Sequence, residues 1–123
     1  MKHRLRLPLA ALLATVLAST SAFAHAFLDH ATPGVGATVK SAPGELQLSF
    51  TQNIVPAFSG VTLKAAGGGE IPVGKATLDT GSANTLHVKL GKALTPGTYI
   101  VSWHVVSVDT HPTSGTYKFT IAP

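Results

Sequence analysis

Cysteine is absent from the 123 residues, and methionine occurs once, at position 1. The first absence excludes a disulfide framework, a cysteine nucleophile, a thiolate zinc site and a blue-copper centre. Charge is scarce as well: Asp, Glu, Lys and Arg together make up 11% of the chain, against 45% hydrophobic residues. That balance excludes a disordered acidic or basic tail protein. Aromatics reach only 7%, with a single Trp. The length suits one domain, since domains most often run to about 100–150 residues.

The formal charge of +4 is concentrated at the start. Lys2, Arg4 and Arg6 precede an apolar run from Leu7 to Ala18, broken only by Pro8 and Thr15. Ala22-Phe23-Ala24 then gives a small-x-small cleavage pattern, so residues 1–24 read as a secretory signal peptide. The run is too short for a transmembrane helix, which needs about 20 apolar residues. Cleavage after Ala24 would leave six basic residues against five acidic ones, with His25 as the first residue. No basic patch remains for nucleic acid. A secreted, periplasmic domain over residues 25–123 is the expectation.

From residue 25 onward the hydrophobic period is two. Leu46, Leu48 and Phe50 alternate with polar neighbours, as do Val61 and Leu63, Leu86, Val88 and Leu90, and Tyr117, Phe119 and Ile121. Each set puts its apolar members on one face of a strand. Tyr99 to Val108 is a longer run that suits a central strand. Turn signals separate the runs, among them Thr32-Pro33-Gly34, Ala42-Pro43-Gly44 and Thr95-Pro96-Gly97. The pattern predicts an all-β, antiparallel Greek-key sandwich without helices, with Pro56 and Pro72 at edges or bulges. The expected core is Leu46, Leu48, Phe50, Val61, Leu63, Leu86, Val88, Tyr99, Val101, Trp103, Val105, Tyr117 and Phe119.

Five histidines follow the leader: His25, His30, His87, His104 and His111. His87 and His104 alternate with apolar residues and read as members of a solvated strand face; His30 receives no role. Asp109-Thr110-His111-Pro112 closes the longest run. In extended chain, residues two apart share a side, so Asp109 and His111 can converge. Pro112 biases His111 toward that geometry. On spacing alone, a turn in which Asp109 caps a backbone amide and His111 faces water accounts for the motif better, because Asp-x-His is common. His25 as a first residue would add an α-amine and an imidazole Nδ1, able to chelate one ion. With His111 and an oxygen of Asp109 this makes a nitrogen-rich set suited to Cu(II). Without Cys, and with Met1 in the leader, the soft donors preferred by Cu(I) are missing.

The mature start at His25-Ala26, the segment Leu48-Ser49-Phe50, and the stretch Ser102-Trp103-His104-Val105-Val106-Ser107-Val108-Asp109-Thr110-His111-Pro112-Thr113-Ser114-Gly115 together resemble the periplasmic copper-resistance protein C (CopC) family. The resemblance implies an immunoglobulin-like or cupredoxin-like β-sandwich that binds Cu(II) in copper resistance, homeostasis or uptake. It places the ligands at the amine and imidazole of His25, at His111, and at Asp109 as the weaker oxygen donor. It also implies an inner-membrane CopD-like partner. The methionine-rich Cu(I) site of some members has no counterpart here. Where members often carry a Glu near the N-terminal His, this sequence has Gln52, which could accept a hydrogen bond from the amine. The protein is expected to be a monomer and not an enzyme. Two other readings stay open: a copper-dependent monooxygenase-like enzyme, and a metal-free immunoglobulin-like interaction module.

Overall fold

The computed structural model describes residues 25–123. The leader and its cleavage position at Ala24 lie outside the described residues. Nine strands follow: β1 (Leu28–Thr32), β2 (Thr38–Val39), β3 (Glu45–Phe50), β4 (Gly60–Ala65), β5 (Glu70–Ile71), β6 (Thr77–Asp79), β7 (Ser82–Lys89), β8 (Gly97–Val106) and β9 (Pro112–Ile121). They form a four-stranded sheet in the order β1-β3-β7-β6 and a five-stranded sheet in the order β2-β9-β8-β4-β5.

Alternation explains the layering. Along β8, Tyr99, Val101, Trp103 and Val105 are buried while the residues between them reach the surface. Tyr117, Phe119 and Ile121 of β9 lie in register beside them and are buried too. Leu46, Leu48 and Phe50 of β3, with Leu86 and Val88 of β7, supply the facing layer. Phe50 meets Trp103 edge-on between the two sheets, at a centroid distance of 5.1 Å. The thirteen residues expected in the core are all buried, Trp103 at 8% exposure included. Burying each large side chain contributes roughly 1.5–3 kcal/mol, which a small domain needs. Ala26, Ile54, Ala76, Leu94 and Ile121 complete the core. Tyr117 brings a cost: its hydroxyl is buried without a hydrogen-bond partner among the described residues, and desolvation raises its pKa.

Glycines flank β8 where its rings lie down. Gly115 of β9 pairs with Trp103, and a Cβ there would stand 2.6 Å from the indole Cζ2. Gly60 of β4 pairs with His104, and a Cβ there would stand 2.7 Å from the imidazole Cε1.

Several expectations need correction. The sandwich is not wholly antiparallel, because β2 pairs in parallel with the end of β9. Pro56 starts a 3-10 turn over Pro56–Phe58 rather than bending a strand. Its fixed φ suits a first helical position. Pro72 does follow an edge strand, the two-residue β5. The long run also stops short of Val108. β8 ends at Val106, and Ser107 joins an isolated bridge to Ile54.

Candidate metal centre

The segment before β1 and the β8–β9 turn meet at one end of the sandwich. Thr113, near the start of β9, donates its hydroxyl to the carbonyl of Ala26 at 2.6 Å. Thr51, just after β3, donates to the His25 carbonyl at 3.5 Å, and its Oγ1 accepts the Phe27 N–H at 3.0 Å. The Thr51 N–H also reaches the Phe27 carbonyl at 2.9 Å. Residues 25–27 are therefore tied to both sheets, with Ala26 fully buried between them.

Those ties bring His25 and His111 together. Their rings meet edge to face with centroids 4.9 Å apart, and Phe27 lies 6.1 Å from the His25 ring. His111 also contacts Asp109, Nδ1 to Oδ1, at 3.3 Å. Both side chains are about half exposed, at 47% and 48%.

Asp109 and His111 converge through the turn that the spacing also allowed, not through an extended strand. Residues 107–111 form a tight turn. The Thr110 N–H donates to the Ser107 carbonyl at 2.8 Å, and the Ser107 N–H donates to the His111 carbonyl at 3.1 Å. Thr110 sits at φ 74°, the left-handed region that L-residues seldom enter. The turn, not a strand repeat, swings the carboxylate back toward the imidazole.

Asp109 is held below the ordinary carboxylate range. The hydroxyl of Ser107 donates to Oδ1 and is the largest cause; desolvation opposes it, and the His111 contact adds a smaller lowering. Sequence reasoning missed Ser107. Its one signal is a serine two residues before the Asp, at a position where the two-residue alternation calls for an inward side chain.

The three residues read as ligands thus share one end, with two contacts among them. Among the described residues, no set of three or more His, Asp or Glu side chains already closes around one point as a metal cage. In the full chain the His25 nitrogen is an amide joined to Ala24. Gln52 follows Thr51 at the same end and is partly buried.

The other histidines lie elsewhere. His30 is exposed beside Asp29, at 3.1 Å. His104 is exposed over Gly60. His87 departs from the solvated role assigned to it. Its Nδ1 meets Glu45 at 2.8 Å and its Nε2 meets Asp79 at 2.6 Å, which links β3, β7 and β6 across the outer face of the four-stranded sheet. Both partners lie on neighbouring strands, so the alternation of β7 alone could not reveal them.

Two packed sheets of four and five strands, with paired histidines at one end, define a small β-sandwich protein. The CopC domain model matches residues 28–122, and the chain belongs to that family. It is 40% identical over 115 residues to copper resistance protein C of Xanthomonas campestris pv. juglandis, covering 89% of this chain and 90% of the relative. It also superposes on CopC from Methylosinus trichosporium OB3b, with a TM-score of 0.74, 28% identity, and coverage of 80% of this chain and 95% of that one. PcoC, a methionine-rich copper resistance protein from Escherichia coli, matches with a TM-score of 0.71 and 30% identity, over 79% of this chain and 98% of that one. The Xanthomonas and Escherichia coli relatives are named for copper resistance, not for a reaction. Among the described residues no helix is long and apolar enough to cross a membrane.

Proposed function

We propose that this protein is exported as a precursor, is trimmed after Ala24 to a domain of residues 25–123, and binds Cu(II) in the periplasm as cargo. The reading rests on the His25–His111 pair, which the fold brings together from the segment before β1 and the β8–β9 turn, with ring centroids 4.9 Å apart. Trimming would turn the His25 amide into an α-amine, a group whose ordinary pKa of about 7.7–8.0 lets a metal compete with the proton near neutral pH. The donor set is then the amine and imidazole of His25, the imidazole of His111 and an oxygen of Asp109. Nitrogen and oxygen donors of this kind suit Cu(II), and nothing soft is present for Cu(I). Since Asp109 engages Nδ1 of His111, Nε2 is the nitrogen that His111 has to offer. Gln52 is the residue we assign to support the amine. The protein carries or buffers copper and passes it to a CopD-like inner-membrane protein, acting as a monomer.

The test is a competitive Cu(II) titration of protein starting at His25, beside protein with one extra residue in front. The expected result is one tight equivalent for the first and a loss of orders of magnitude for the second. Equal affinity would show that the amine is not a ligand.

A further inference from the structure

Ser107 is 1% exposed, yet its hydroxyl meets the carboxylate of Asp109 and the backbone of His111. A buried hydroxyl is costly unless its hydrogen bonds are made. Here it has several. Its proton goes to Oδ1 of Asp109, and its oxygen receives the His111 N–H at 3.3 Å. Its backbone is fixed independently. The Ser107 N–H and C=O close the turn onto His111 and Thr110, and the bridge to Ile54 anchors it to the sheet end.

Asp109 and His111, by contrast, are half exposed. Left to themselves, exposed side chains on a turn exchange rotamers on the picosecond-to-nanosecond scale. Ser107 is therefore the rigid member of the group. It selects which carboxylate oxygen is spent: Oδ1 takes both the serine proton and the Nδ1 side of His111. Oδ2 is left as the oxygen that neither group engages.

We infer that Ser107 is the positioning residue of the copper site, setting the carboxylate of Asp109 and the backbone of His111 so that Oδ2 and Nε2 are the atoms presented to the ion. This rests on the proposed Cu(II) site. It adds a residue that touches no metal, together with the atoms through which the ligands act. Partners behind metal ligands commonly contribute 10–100-fold to affinity.

The experiment uses protein starting at His25, with Cu(II) competition titrations and electron paramagnetic resonance well below the melting temperature. Ser107→Ala is expected to weaken Cu(II) by about 10–100-fold and to alter the copper spectrum. Ser107→Thr, which keeps the hydroxyl, is expected to restore most of the affinity and the wild-type spectrum. A Ser107→Ala protein with wild-type affinity and spectrum overturns the proposal, even if it melts earlier, because that outcome marks a merely structural serine. Wild-type protein that takes up no Cu(II) overturns the copper site itself, a distinct result. Should Ser107→Ala not fold, the wild-type hydroxyl proton decides. A slowly exchanging proton resonance with cross-peaks to Asp109 supports the contact; exchange as fast as in a free serine overturns it.

Discussion

Two groups of imidazole and carboxylate lie on this molecule, and they differ in what is left over. At His87 both ring nitrogens are engaged, by Glu45 and by Asp79, at 2.8 and 2.6 Å. Such a ring is saturated: its protonated form donates twice, and no lone pair faces outward. At His111 the carboxylate takes Nδ1 alone, at 3.3 Å, and a second imidazole stands beside it instead of a second acid. The same residue types make a clasp across strands in one place and a candidate ligand pair in the other. The difference lies in the number of nitrogens left to give, not in the number of histidines.

The electrostatics follow that division. The Asp79 and Glu45 hydrogen bonds raise the pKa of His87, while His87 and the Gly81 amide lower that of Asp79. A raised histidine stabilises the fold fully below its ordinary pKa of about 6.5 and loses that effect as pH rises through the shifted value. The lowered Asp79 contributes above the ordinary carboxylate range and loses its effect as pH falls through its shifted value. The clasp is therefore strongest in the mildly acidic range between the two titrations.

The sharpest way to break the comparison is to exchange the losses. His111→Phe is expected to weaken Cu(II) binding by more than the ~100-fold that an outer partner costs, while His87→Gln leaves affinity unchanged in the same titration. If both variants lose copper equally, the two clusters are not distinct in function. Asp109→Ala should do less damage than His111→Phe, because one oxygen donor is lost and both histidines remain; chelator competition ranks the two. His87→Gln should lower the melting temperature by a few degrees at pH 6, the scale of partly exposed ion pairs. The smallest effect is its pH dependence. The melting difference between wild type and His87→Gln should shrink between pH 6 and pH 9 as His87 loses its proton. A difference that grows over that range would reverse the assigned sign.

Much of the fold was legible because burial on a strand has period two. The alternation of Leu46, Leu48 and Phe50, and of Leu86 and Val88, marks a face without reference to any partner. What remained hidden depended on contacts between distant segments. The parallel docking of β2 on β9 is made by two residues whose sequence, Thr38-Val39, carries no directional signal. The His87 clasp needs Glu45 and Asp79, each on a different strand. At the candidate site, Asp109 and His111 were visible as a pair, and of the extended and turn geometries open to them the turn is the one adopted. A positive φ at Thr110 is foreign to β-branched residues, so nothing in the residue type announces the turn. Ser107 was passed over because a lone serine in an apolar run reads as a neutral spacer.

The two glycines beside β8 differ in the freedom they leave to sequence drift. Gly115 lies under an indole that is buried and braced by Phe50, so a methyl group there has nowhere to push the ring. Gly60 lies under an exposed imidazole that can swing into water. Positions 103 and 115 therefore behave as one inherited character. A lineage must shrink the ring before it can gain a side chain at 115, and the reverse order passes through an overpacked intermediate costing about 1–3 kcal/mol. Positions 60 and 104 carry no such order, and either may change first. One strand thus carries a gated evolutionary step on its inner face and an open one on its outer face.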